Sequence, residues 1–158
     1  MTRDTSPMSR SYLRLRFQDD HDGTGKLLAR AETAGFAGES AAYFNISEIE
    51  EFAAAIGGFP IPENESYSIA SGFGKKDESG ELEQEHLGIE AYLLDTQRGY
   101  VGVQVRMATE LWSPARPESQ KAARIEIVTT YEPLSKFSKD LIGLVHGTLS
   151  EALLVGEL

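Results

Sequence analysis

Cysteine is absent from the 158-residue chain, which excludes disulfides, thiolate zinc sites and cysteine nucleophiles. The same absence fits a reducing compartment, and the cytoplasm is the expected location. No apolar run approaches the roughly 20 residues needed to cross a bilayer, so no membrane association is expected. Basic residues are scarce where acidic ones are dense. From Ala31 to Gln97 there are fourteen Asp or Glu residues against only Lys75 and Lys76, a formal charge of −12 in a chain of net charge −10. Phosphate binding needs clustered Lys and Arg, so this charge argues against nucleic acid as the ligand and suits a basic partner or no charged partner at all. Met1 to Arg10 are polar, contain Pro7 and lack a hydrophobic segment, so they are expected to be a frayed tail rather than a signal peptide. Residues 11–158 are expected to form one domain.

What is present is mostly alternation. Leu13, Leu15 and Phe17 alternate with Arg14 and Arg16, which predicts a half-buried strand with a basic outer face. Lys26 to Thr33 and Glu39 to Asn45 predict two more strands. Ser47 and Glu50 then suggest a capping box, and Ile49, Phe52, Ala53 and Ile56 the buried stripe of a helix of about ten residues. Gly57, Gly58 and Pro60 supply a left-handed stop and prevent continuation. Further strands are expected around Tyr67–Phe73, Leu87–Leu93, Val101–Met107 and Ala123–Tyr131, with long loops at 74–84 and 109–120. A last helix should open at Pro133 and carry an apolar face to about Leu154. The expected fold is α+β: a curved, mainly antiparallel sheet of about seven strands with two helices packed on it. No internal repeat is evident.

Motifs that carry chemistry are weak. His21, His86 and His146 show no ligand spacing, and His86, alternating with Leu87 and Ile89, is expected to face water. Gln18 to Gly23 resembles part of a calcium loop, but position one is Gln18 and position twelve is Ala29, so a solvated hairpin turn is favoured. Gly72 to Lys76 lacks the Gly-Lys-Ser/Thr ending of a phosphate loop. No Gly-x-Ser-x-Gly elbow occurs. The sequence therefore assigns no catalytic residue, no metal ligand and no cofactor. The candidates for partner binding are the acidic run Asp77, Glu78, Glu81, Glu83, Glu85 and Glu90, which has no Lys or Arg within it, and Trp112, the single tryptophan, in a proline-flanked loop. For the acidic run a solvated face that confers solubility is the favoured reading, and for Trp112 a ring folded back over an end of the core.

Three segments carry a resemblance: Asn45 to Phe52 on the first helix, Gly102 to Ala108, and Tyr131 to Phe137. Together they resemble small bacterial proteins of the WapI-type immunity family and related uncharacterised families. The resemblance implies a strand-rich start, a helix bearing Glu and Phe, a Gly-x-Val-x-Val strand and a closing helix. It also implies neutralisation of a toxin domain by direct binding. It carries over no individual functional residue.

The leading expectation is a non-enzymatic acidic binding protein that occludes a basic toxin domain. The alternative is a small-ligand binder or enzyme with a pocket between the sheet and the C-terminal helix, where Gly143 and Gly147 would permit close approach. Oligomeric state is left open.

Overall fold

The computed structural model describes residues 11–73, 84–111 and 116–157. The chain is α+β, with, among these residues, eight strands and two α-helices in the order β1 (Tyr12–Asp19), β2 (Thr24–Thr33), β3 (Phe36–Asn45), α1 (Ile46–Ile56), β4 (Ser66–Phe73), β5 (Gln84–Asp95), β6 (Tyr100–Ala108), β7 (Ala122–Thr130), α2 (Tyr131–Val145) and β8 (Ala152–Val155). The strands form two four-stranded antiparallel sheets rather than one of about seven. Sheet A runs β3-β2-β1-β8 and sheet B runs β4-β5-β6-β7.

Period-two alternation builds both sheets. Leu13, Leu15, Leu27, Ala29 and Ala31 of sheet A, and Leu87, Ile89, Val101, Val103, Val105 and Ile127 of sheet B, are buried in one continuous core. Strand β3 lies against all four strands of sheet B. The helices pack on each other, α1 also against β4 and α2 also against β8 and β1. They contribute Ile49, Phe52, Phe137, Leu141 and Leu144 to the same core.

The order βββαβ occurs twice, as β1 to β4 and as β5 to β8. The last strand of each half leaves its own meander and pairs with the first strand of the other, β4 with β5 and β8 with β1. The two seams are closed alike: Ser71 Oγ donates to Tyr43 O between β4 and β3, and Thr129 Oγ1 donates to Val155 O at 3.1 Å between β7 and β8. A topological repeat is thus present where the sequence suggested none. Only a binary pattern is needed to specify each half, so unrelated side chains satisfy both.

Several local expectations are corrected. Asn45, not Ser47, precedes the first turn of α1, and the Glu48 carboxylate accepts from the Asn45 N–H at 3.0 Å. Glu50 instead reaches His146 Nε2 at 2.5 Å, joining α1 to the end of α2. Gly57 is right-handed, at φ −81°, and its smallness serves the helix crossing: Ser138 Oγ, which donates to Ala53 O at 2.6 Å, occupies the space a Cβ would take. Helix α2 begins two residues before Pro133 and stops at Val145. Gly147, at φ +81°, reverses the chain, and Thr148 and Leu149 N–H groups both donate to Gly143 O. Gly143 therefore accommodates its own turn-back, where Thr148 Oγ1 lies 2.8 Å from a notional Cβ. Leu154 belongs to the eighth strand, paired with Leu13. The helical spacing is real through Leu141, Leu144 and Val145, but its continuation through Thr148 and Leu149 to Leu154 is coincidental, because a tight turn and a strand follow.

Candidate functional site

The hairpin turn at 20–23 uses its acids internally. Asp19 Oδ1 accepts from the His21 N–H at 2.7 Å, and Asp22 Oδ1 accepts from the Thr24 N–H at 3.0 Å and its hydroxyl at 2.7 Å. The Thr24 hydroxyl, then its amide, hold the Asp22 carboxyl below the usual carboxylate range. No group of three or more His, Asp or Glu side chains poised for a metal occurs among the described residues.

Of the predicted partner-binding residues, Asp77, Glu78, Glu81, Glu83 and Trp112 lie outside the described residues, as do 1–10. Glu85 and Glu90 stand on the outer face of sheet B, and both meet one guanidinium. Arg106 Nε donates to Glu85 Oε1 at 3.0 Å, and its NH1 donates to Glu90 Oε1 at 3.1 Å and to Gln104 Oε1 at 3.2 Å. The compensation missing from the linear run thus comes from the neighbouring strand, sixteen and twenty-one positions away. Beside this network, Tyr92 donates to Glu126 Oε2 at 2.5 Å. Burial, then the Glu126 carboxylate, push its phenol well above the ordinary value of 10.0. Other acids of the central segment are spread elsewhere. Glu32 and Glu39 flank Arg30 on sheet A, Asp95 pairs with Arg98, and Glu63 accepts from Thr96. The described carboxylates do not converge on one face.

The residue most altered by the tertiary structure is His86. It is only 8% exposed, not turned to water. The cause is a register shift between β4 and β5: Ser71 pairs with Leu87 and Gly72 with Glu85, leaving His86 unpaired. A bulge of this kind interrupts alternation and re-aims a side chain, so counting by twos from Leu87 gives the wrong face. Gly72 makes the bulge possible. A Cβ at position 72 would lie 1.8 Å from Gln84 O and 2.9 Å from His86 N. Strand β3 fixes the bulge from the other sheet, where Ser40 Oγ donates to His86 O at 2.6 Å.

The imidazole state follows from its neighbour. Gln84 Oε1 accepts from the Leu111 N–H at 3.0 Å, and Gln84 Nε2 donates to Leu111 O at 3.1 Å, which orients the amide. His86 Nε2 lies 3.0 Å from that same Oε1 and must donate to it. In the neutral ring Nδ1 is then the acceptor.

His86 lines a cleft of about 500 Å3 between the middle of β3 and the ends of β4, β5 and β6. Lys26, Ser40, Tyr43, Phe73 and Glu110 are among the other lining residues. Tyr43 and Phe73 are 57% and 50% exposed. The volume lies in the range of small-molecule sites. Chemically, the cleft offers apolar rings, one cation, one carboxylate and a fixed imidazole. Ser40 is engaged with a backbone carbonyl and forms no hydrogen bond to the imidazole, so the pair is not arranged as nucleophile and base. No residue of α2 lines this cleft, which is distinct from the pocket that the sequence suggested between the sheet and the C-terminal helix. The signal available in the sequence was Gly72, a glycine inside a strand pattern, which marks bulges and close backbone approach.

No protein-family model, curated protein or solved structure matches this chain. Among the described residues, no helix is long and apolar enough to cross a membrane.

Proposed function

We propose that this protein is a ligand-binding domain whose ligand seats in the cleft beside His86. The observation that carries the reading is a β-bulge that turns a histidine out of strand alternation and buries it at the wall of a cleft rimmed by Tyr43 and Phe73. The matching ligand is a small organic molecule with a flat apolar body, covered by the two rings, and a hydrogen-bond donor directed at His86 Nδ1. Lys26 and Glu110 sit at the lining to orient a charged substituent. A thermal-shift screen of small aromatic and heterocyclic metabolites tests this. A ligand present at 100 times its Kd stabilises by about 2.7 kcal/mol, a rise of roughly 5–10 °C for a chain of this size. The same compound should leave His86→Ala and Tyr43→Ala unshifted. Compounds that stabilise parent and variants equally would refute the site.

A second reading follows from charge. The −10 net charge and the −12 of residues 31–97 favour an acidic protein that covers the basic surface of a toxin domain, the role implied by the resemblance to WapI-type immunity proteins. Within residues 31–97, Glu51 and Glu65, exposed on and just after α1, are the described acids free for such contacts. Recovery of a basic protein at low salt and its loss at high salt supports this reading. Recovery of none at either salt argues against it.

A further inference from the structure

The alternating arginines of β1 have no part in the cleft, yet they share one face with Arg30 and Lys26 on an anionic protein. The strand register places the outer side chains of sheet A in rows. Leu153, Arg14, Arg30 and Glu39 lie across one row; Arg16, Leu28 and Ala41 across the next; Gln18, Lys26 and Tyr43 across the third. Arg14 thus stands directly opposite Arg30, an arrangement that destabilises a sheet unless anions offset it. Arg30 has such anions. Its NH1 lies 2.7 Å from Glu39 Oε2, its NH2 3.5 Å from Glu32 Oε1, and its Nε donates to the Tyr12 hydroxyl at 2.9 Å. Arg14, Arg16 and Lys26 form no ion pair with any described residue. Between the arginines runs a groove of about 290 Å3 over Leu28 and Ala41. At its side, Leu153 and Val155 of β8 are 42% and 52% exposed.

We propose that the outer face of sheet A docks an extended polypeptide segment bearing carboxylates at alternate positions. Residues two apart in a strand project about 6.7 Å from one another on the same face. Arg14 and Arg16 therefore match, in spacing and charge, two glutamates of an extended chain lying along β1. The methylene stems of those glutamates cover the aliphatic floor of Leu28 and Ala41, and Leu153 takes an apolar neighbour. Guanidinium groups suit this task because they bind carboxylates in a bidentate fork. A long polyanion is disfavoured: it would overrun a patch of four cations and meet the negative remainder of the surface.

The probe is a fluorescein-labelled peptide alternating glutamate and valine, followed by fluorescence polarisation. Binding should weaken at least tenfold in Arg14→Gln/Arg16→Gln and severalfold between 50 and 300 mM salt, with a glutamine–valine peptide not bound. The single exposed change Arg16→Glu gives the same direction should the double variant fail to fold, and circular dichroism melts certify each protein. Four outcomes would overturn the proposal: no peptide binding by the parent at millimolar concentration, equal affinity in the variants, equal affinity for the glutamine peptide, or tighter binding of a single-stranded oligonucleotide than of the acidic peptide. Because Ser40 and Ala41 line both the cleft and the groove, and Lys26 belongs to both the cleft and the cationic face, the readout uses Arg14 and Arg16, which line only the groove.

Discussion

Replacing Gly72 with alanine tests the physical basis of the candidate site with one methyl group. The added carbon would sit 1.8 Å from Gln84 O, whereas contacts below 3.0 Å are essentially never made by a real Cβ. The obstruction is backbone on the paired strand, so no side chain can swing aside. Strands β4 and β5 must part by roughly 1 Å or more at the bulge, which overpacks the seam by about 1–3 kcal/mol. One ladder hydrogen bond would lengthen as well, worth about 1 kcal/mol. The expected loss is therefore about 2–4 kcal/mol, or a fall in Tm of roughly 5–15 °C for a chain of this size. Urea unfolding followed by circular dichroism measures it, with an unchanged m-value as evidence that the denatured state is not the cause. Gly35→Ala is the control. Gly35 has φ +86° and nothing within 4 Å of a notional Cβ, so its substitution reads backbone strain alone, about 1 kcal/mol. The nitrogen-15 resonances of the His86 ring should move in Gly72→Ala and hold still in Gly35→Ala. A Gly72→Ala protein within 0.5 kcal/mol of the parent, or with an unmoved His86 signal, would refute the close-approach account of the bulge.

Three further outcomes are expected. Phe137→Ala removes a fully buried ring of α2 and should cost about 3–5 kcal/mol by urea unfolding, whereas Leu149→Ala, at an exposed position, should stay within about 0.5 kcal/mol. Arg106→Gln leaves Glu85 and Glu90 without their shared cation. Since all three side chains are about one-third exposed, the loss should be under about 1 kcal/mol at low salt and should shrink in 0.5 M salt. Tyr92 has its folded pKa raised by burial and by Glu126, so the native state favours the protonated phenol. Its contribution is complete below the unfolded value of 10.0 and declines as pH rises beyond it. A spectrophotometric titration at 295 nm should show a late-ionising phase, and Tyr92→Phe should abolish it. A single uniform titration in the parent would contradict this.

Local chemistry in the sequence determined the α+β class, the antiparallel meanders, the extent of α1 and the basic outer face of β1. Each rests on near-neighbour periodicity: Leu13 and Leu15 against Arg14 and Arg16, or Ile49, Phe52, Ala53 and Ile56 at helical spacing. The acidic character of residues 31–97 was equally plain, being a matter of counting. Only the tertiary structure decided where those charges go. Arg106 reaches Glu85 and Glu90 across a strand pair, and no rule of linear spacing puts them together. It also decided that Leu154 is a strand residue, that the halves exchange their last strands, and that one unpaired residue in β5 turns His86 inward. Periodicity holds only while the backbone stays regular. A bulge or a tight turn resets it by one residue, and which face that residue then meets depends on strands distant in the chain.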